Sequence, residues 1–142
     1  MKPSRHWIPF AAWAALIFAL SSIPGYDLPP APSILEYIKG WIQPDKSVHL
    51  LLYGGLAWLC LRALVLEHPS RNLWKAAFMT TLVTSVYGAT DEWHQLLTPG
   101  RSCEFFDWVS DTSGGAIAVI VAAPIYSALR RAGRLRVAPP AT

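Results

Sequence analysis

Between Tyr87 and Asp111 the chain reads YGATDEWHQLLTPGRSCEFFDWVSD, which sets Asp91, Glu92, Gln95, Arg101, Glu104, Asp107 and Asp111 between almost wholly apolar flanks. A second group, Asp45, Lys46, His49 and Tyr53, opens another apolar run. Six acids thus face Lys46, Arg101 and one titratable imidazole, so pairing alone leaves negative charge over. Shared protons, a cation or the basic part of a ligand must meet that excess. Carboxylates beside an imidazole are equipped for proton transfer, because His titrates near neutrality and its neighbours tune it. Glu92 and Asp107 are the expected acid and base, with His49 assisting. Lys46 and Arg101 suit an anionic head group, Gln95 can orient it, and Tyr53, Tyr87, Asp91 and Asp111 complete the lining. Oxygen ligands of this kind suit magnesium, calcium or manganese, but no motif of fixed ligand spacing is present, so shared protons are expected and no metal or cofactor is. The chain also shows no Ser or Cys nucleophile with a base beside it, no glycine-rich phosphate loop and no cofactor fingerprint.

Acids among apolar runs are costly unless they face a protein-lined interior, where they mark a pathway or a site. At 142 residues, 53% hydrophobic and 15% charged, the chain fits one domain of the membrane class. A net charge of +3 does not imply nucleic acid, because the basic residues sit at segment ends and not on one polar face. Cys60 and Cys103 are too few for a disulfide scaffold and are expected about 20 Å apart along a helix axis. A bridge requires Cα atoms within about 7 Å, so both are expected as free thiols.

The elements that must position these residues read as an all-α bundle of four transmembrane helices, at about residues 7–23, 46–66, 73–97 and 104–129. The first follows Lys2, Arg5 and His6 and also fits a signal peptide with a small-residue site at Ala19 to Ser21; the helix is the preferred reading. Pro24, Pro29, Pro30 and Pro32 end it. Within the following loop Ile34, Ile38, Trp41 and Ile42 share a face, which suits a short helix lying in the interface. Pro69 separates the second and third helices. Gly114, Ala118 and Ala122 give the fourth a small-residue face for close packing. Residues 130–142 form a basic, then Pro/Ala-rich tail. Trp7, Trp41, Trp74, Trp93 and Trp108 lie near helix ends as interface anchors, and His94 falls on a different helical face from Asp91 and Gln95.

Nine of the twelve Lys and Arg residues then fall on the side shared by the two termini, with Lys39, Lys46 and Arg101 opposite. The positive-inside rule makes both termini cytoplasmic. It also puts the charged ends of helices two, three and four together at the outer face. Lys46, Gln95 and Glu104 are expected outermost, then His49, Asp91, Glu92 and Asp107, then Tyr53, Tyr87 and Asp111 about 10 Å deep.

DKxxH at Asp45 to His49 with Tyr53, DExxQ at Asp91 to Gln95, the turn Pro99 to Arg101, and Asp107 followed by Gly114 together resemble the VanZ-like family. The resemblance runs from the first helix to the fourth. It implies a small integral membrane protein of the bacterial inner membrane with about four helices, in a family named for a member associated with teicoplanin resistance. A lipid-linked wall precursor or a glycopeptide at the outer face is the implied ligand. Two positions depart from the family pattern: Asp111 stands where Asn is usual, and Ala118 where Gly is. A protonated Asp donates a hydrogen bond as an Asn amide does, so the geometry is preserved. Two other readings stay open. The charges could be helix-packing glue in a non-enzymatic binding or immunity module, with Lys46 paired to Glu92 and Arg101 to Asp107 or Glu104. A proton-coupled carrier is less well supported, because the inner half is apolar apart from Thr80, Thr81, Thr84 and Ser85.

Overall fold

The computed structural model describes residues 5–27, 44–69 and 71–135, and within them every regular element is helical. A 3-10 turn, Arg5–Trp7, leads into α1, Ile8–Ser21, where Pro9 takes an early position that costs no hydrogen bond. α2 spans Pro44–Glu67, α3 Leu73–Gln95 and α4 Phe105–Arg131. Asn72 starts α3 as its cap, its side-chain oxygen accepting from the N–H groups of Trp74 and Lys75. α3 stops two residues before its expected end because Leu97, Thr98 and Arg101 donate their N–H groups back to His94, Gln95 and Thr98, closing a turn. Gly100 supplies that turn with a φ of 73°. The interfacial helix expected around Ile34 to Ile42 with Trp41, the Asp45 side chain and the end of the basic tail lie outside the described residues.

Among the described residues, two helices are long and apolar enough to cross a membrane: Lys46–Glu67, 22 residues, and Phe105–Arg131, 27 residues. α1 has 14 residues, which at the helical rise is about 21 Å, short of a hydrocarbon core of about 30 Å. α3 has the length, with 23 residues, but its polar last turns lower its hydropathy. Leu51, Phe78, Leu82, Val86, Ile120 and Val121 are exposed, giving α2, α3 and α4 an apolar outer surface.

α2 is the central element and packs against the other three. At one end Cys60, Leu61, Leu64 and Val65 of α2 form a core with Ala76 of α3 and Ala122 and Tyr126 of α4. Cys60 is buried there and Cys103 is exposed in the turn before α4, both unpaired. Nearer the other end Ile17 of α1 meets Tyr53 and Leu56, and Trp13 donates its indole N–H to the Leu52 carbonyl at 2.8 Å. The small-residue face of α4 is used where α2 crosses it. A Cβ on Gly114 would stand 2.2 Å from the Leu50 carbonyl oxygen, so only glycine permits the two backbones to approach this closely.

Gly114→Ala is therefore expected to force α2 and α4 apart and to cost about 1–3 kcal/mol, as overpacking does. The check is a lowered Tm in detergent, beside a Val121→Ala control on the exposed face of α4 that leaves Tm nearly unchanged.

Candidate functional site

The end of the bundle opposite the apolar core collects the polar ends of all four helices. α2 enters with Lys46, His49 and Tyr53 on one stripe, and α4 enters with Asp107 and Asp111 one turn apart. The Lys46 ammonium donates to Glu104 Oε2 at 2.7 Å and to Asp107 Oδ1. His49 Nδ1 lies 2.9 Å from Asp111 Oδ1, and Nε2 lies 3.9 Å from Asp107 Oδ2. The imidazole is thus bracketed by two carboxylates of one helix, and the Gly114 crossing is what brings them within reach.

α3 contributes two faces. Glu92 turns toward α4: its Oε2 accepts the Glu104 N–H at 2.8 Å, and its Oε1 accepts from the Gln95 amide at 3.3 Å. A carboxylate there serves the start of α4, where Glu104 provides no side-chain cap of its own. Asp91 and Tyr87 turn toward α1 instead. Ser21 donates its hydroxyl to Asp91 Oδ2 at 2.8 Å, and the Tyr87 hydroxyl donates to the Ala14 carbonyl at 2.7 Å. His94 lies on that side too, within 3.0 Å of the Ser22 hydroxyl and stacked on Phe18.

The pairing differs from the one the sequence suggests. Lys46 binds Asp107 and Glu104, while Glu92 takes backbone and amide partners. The Arg101 guanidinium faces away from the acids, donating to the Ile23 and Leu20 carbonyls at 3.2 and 3.3 Å. The physical reason is local: carbonyls at a helix end lack the full set of intrahelical donors, and the α3–α4 turn brings Arg101 to Leu20 in the last turn of α1 and to Ile23 just past it. Lys46, His49, Glu92, Gln95, Asp107 and Asp111 therefore converge, with Tyr53 beneath them, whereas Asp91, Tyr87 and Arg101 join α1 to the site. Ser21 is a participant that sequence reasoning passed over, since beside Ala19 it reads as a small residue of a cleavage site.

Burial makes this cluster unusual. Asp91, Glu92, Asp107 and Asp111 are all at most 6% exposed, and Lys46 and His49 pair with only two of them, Asp107 and Asp111. Two polar atoms in it have no hydrogen-bond partner, Asp111 Oδ2 and the Tyr53 hydroxyl. Asp111 Oδ2 faces α3 at Gly88, where an added Cβ would come within 2.8 Å of it. Cys103 at the rim is a poor nucleophile, as desolvation and then the Glu92 and Asp107 carboxylates push its thiol above the usual range.

The model of the VanZ/LLP1 family matches residues 5–127 of the chain. No curated protein and no solved structure matches it.

Lys46→Ala is expected to cost about 3 kcal/mol, since it leaves the buried Asp107 carboxylate without its cation. Glu104→Ala, which removes a carboxylate 49% exposed, is expected to cost less than about 1 kcal/mol. Thermal unfolding of the two variants beside the parent in one detergent checks the order.

Proposed function

Because the chain belongs to the VanZ/LLP1 family, we propose that it is a multi-pass protein of the bacterial inner membrane whose acid-rich end, open to the outer leaflet, binds or acts on a cell-envelope molecule. The observation that carries this reading is the excess of buried carboxylate over cation at one end of the bundle. Acids that only hold helices together are matched by bases, and an unmatched set is a cost that function explains. With the 3-10 turn Arg5–Trp7 before it, α1 is taken as the first and shortest of four passes; both termini are then cytoplasmic, with nine of the twelve basic residues inside and the cluster outside.

In this reading Lys46, at the rim and already hydrogen-bonded to Glu104 and Asp107, is the cation that an anionic head group meets first. His49, set between Asp107 and Asp111, is the imidazole that exchanges a proton at the site. Glu92, within reach of Gln95, provides a further acid and Gln95 orients the ligand. A lipid-linked wall precursor or a glycopeptide at the membrane surface is the ligand class that the family suggests.

The test is protection of a teicoplanin-sensitive bacterium by expression of the chain, with Glu92→Gln and His49→Gln variants present in the membrane at equal amounts. The expected outcome is a raised inhibitory concentration for the parent and none for the variants at unchanged Tm. A parent that gives no protection, or variants that protect as well as it does, would remove the reading. Variants that lose both protection and many degrees of Tm would assign the acids to helix packing.

A further inference from the structure

Resting on the same reading of the polar end as a working site, we propose that His49, Glu92 and Asp111 bind one divalent cation of the manganese-to-zinc group. The three residues come from α2, α3 and α4, and each offers a ligand atom such that all three atoms lie within 4.8 Å of one another. Ligands spread over three helices leave no spacing motif, which is why the sequence shows none.

Three independent features point to an ion. First, His49 Nδ1 and Asp111 Oδ1 are 2.9 Å apart. With metal–ligand bonds of about 2.1 Å, adjacent ligands of an octahedral ion stand about 3 Å apart, so this pair already has the required separation. Second, the Asp111 side chain is 0% exposed and its Oδ2 has no partner, while it faces α3 at Gly88, one turn from Glu92 on the same helix. A buried carboxylate oxygen without a donor is the group that an ion would satisfy. Third, among the described residues the buried acids outnumber the buried cations, and a divalent ion supplies the missing positive charge.

The ligand types narrow the ion. Two carboxylates and an imidazole, without a thiolate, suit manganese or zinc; an imidazole nitrogen disfavours magnesium and calcium, which prefer oxygen throughout. Coordination through Nδ1 requires the proton to leave that atom, so the neutral ring carries its hydrogen on Nε2. Asp107 Oδ2 stands 3.9 Å from Nε2, on the side where a metal-bound histidine is held by an outer carboxylate, and Lys46 in turn neutralises Asp107. Gly88 fits the same arrangement, because any side chain there would press on the Asp111 carboxylate.

The experiment uses the full chain in detergent, stripped with a chelator and titrated with Mn2+ alone, read by electron paramagnetic resonance. One bound Mn2+ per chain, displaced by Zn2+ and showing a nitrogen coupling from the imidazole, is the expected result. Asp111→Asn at unchanged Tm is expected to weaken binding tenfold or more, and Glu67→Gln, an exposed acid at the far end of α2, to leave it unaltered. Absence of bound Mn2+, or bound Mn2+ without nitrogen coupling, overturns the proposal, and the spectrum of the parent decides this even if the variants fail to fold. No lipid or glycopeptide is present, so a negative result here stands apart from the outcome of the protection assay.

Discussion

Carboxylates buried between apolar helices lose the hydration that makes them inexpensive elsewhere, and the polar end of this bundle is arranged around that loss. Each acid finds a different remedy. Asp107 has the Lys46 ammonium, Asp111 has the His49 imidazole, Asp91 has the Ser21 hydroxyl, and Glu92 accepts the Glu104 N–H just before α4. Acids and partners together draw in all four helices. The bundle is thus tied together at its most polar layer, where apolar packing contributes least.

That layer depends on how closely the helices approach. Gly114 lets the α4 backbone lie against the Leu50 carbonyl of α2, one residue from His49 and one turn from Asp111. Gly88 then leaves room for the Asp111 carboxylate against α3. α1, the shortest of the four, reaches the same layer through hydrogen bonds. Trp13 binds the Leu52 carbonyl of α2, and Arg101 holds the last carbonyls of α1 from the turn.

Much of this was legible in the sequence, because steps of three and four put Lys46, His49 and Tyr53 on one stripe and Asp107 with Asp111 on another. The all-helical character and the family followed from the apolar runs and from motifs such as DKxxH and DExxQ. What the chain did not reveal is which way each side chain on α3 turns. Asp91 and Glu92 are neighbours in sequence, and a helix rotates successive residues by about 100°, so one can face α1 while the other faces α4. Only the seating of α1 decides between them. The same applies to Arg101, whose partners are main-chain carbonyls from a helix some eighty residues earlier, which no charge pattern discloses.

The apolar core at the opposite end has an electrical consequence. Below Tyr53 the buried residues are Thr80 and Thr84 and then Cys60, Leu61, Leu64, Ala122 and Tyr126, with no charged side chain among them. Carrying a bare charge through such a medium costs on the order of 20 kcal/mol in the idealised limit. In the reading proposed above, a proton or ion that reaches the acids therefore returns to the side it came from, and the site works as a cul-de-sac that passes no current through the bundle.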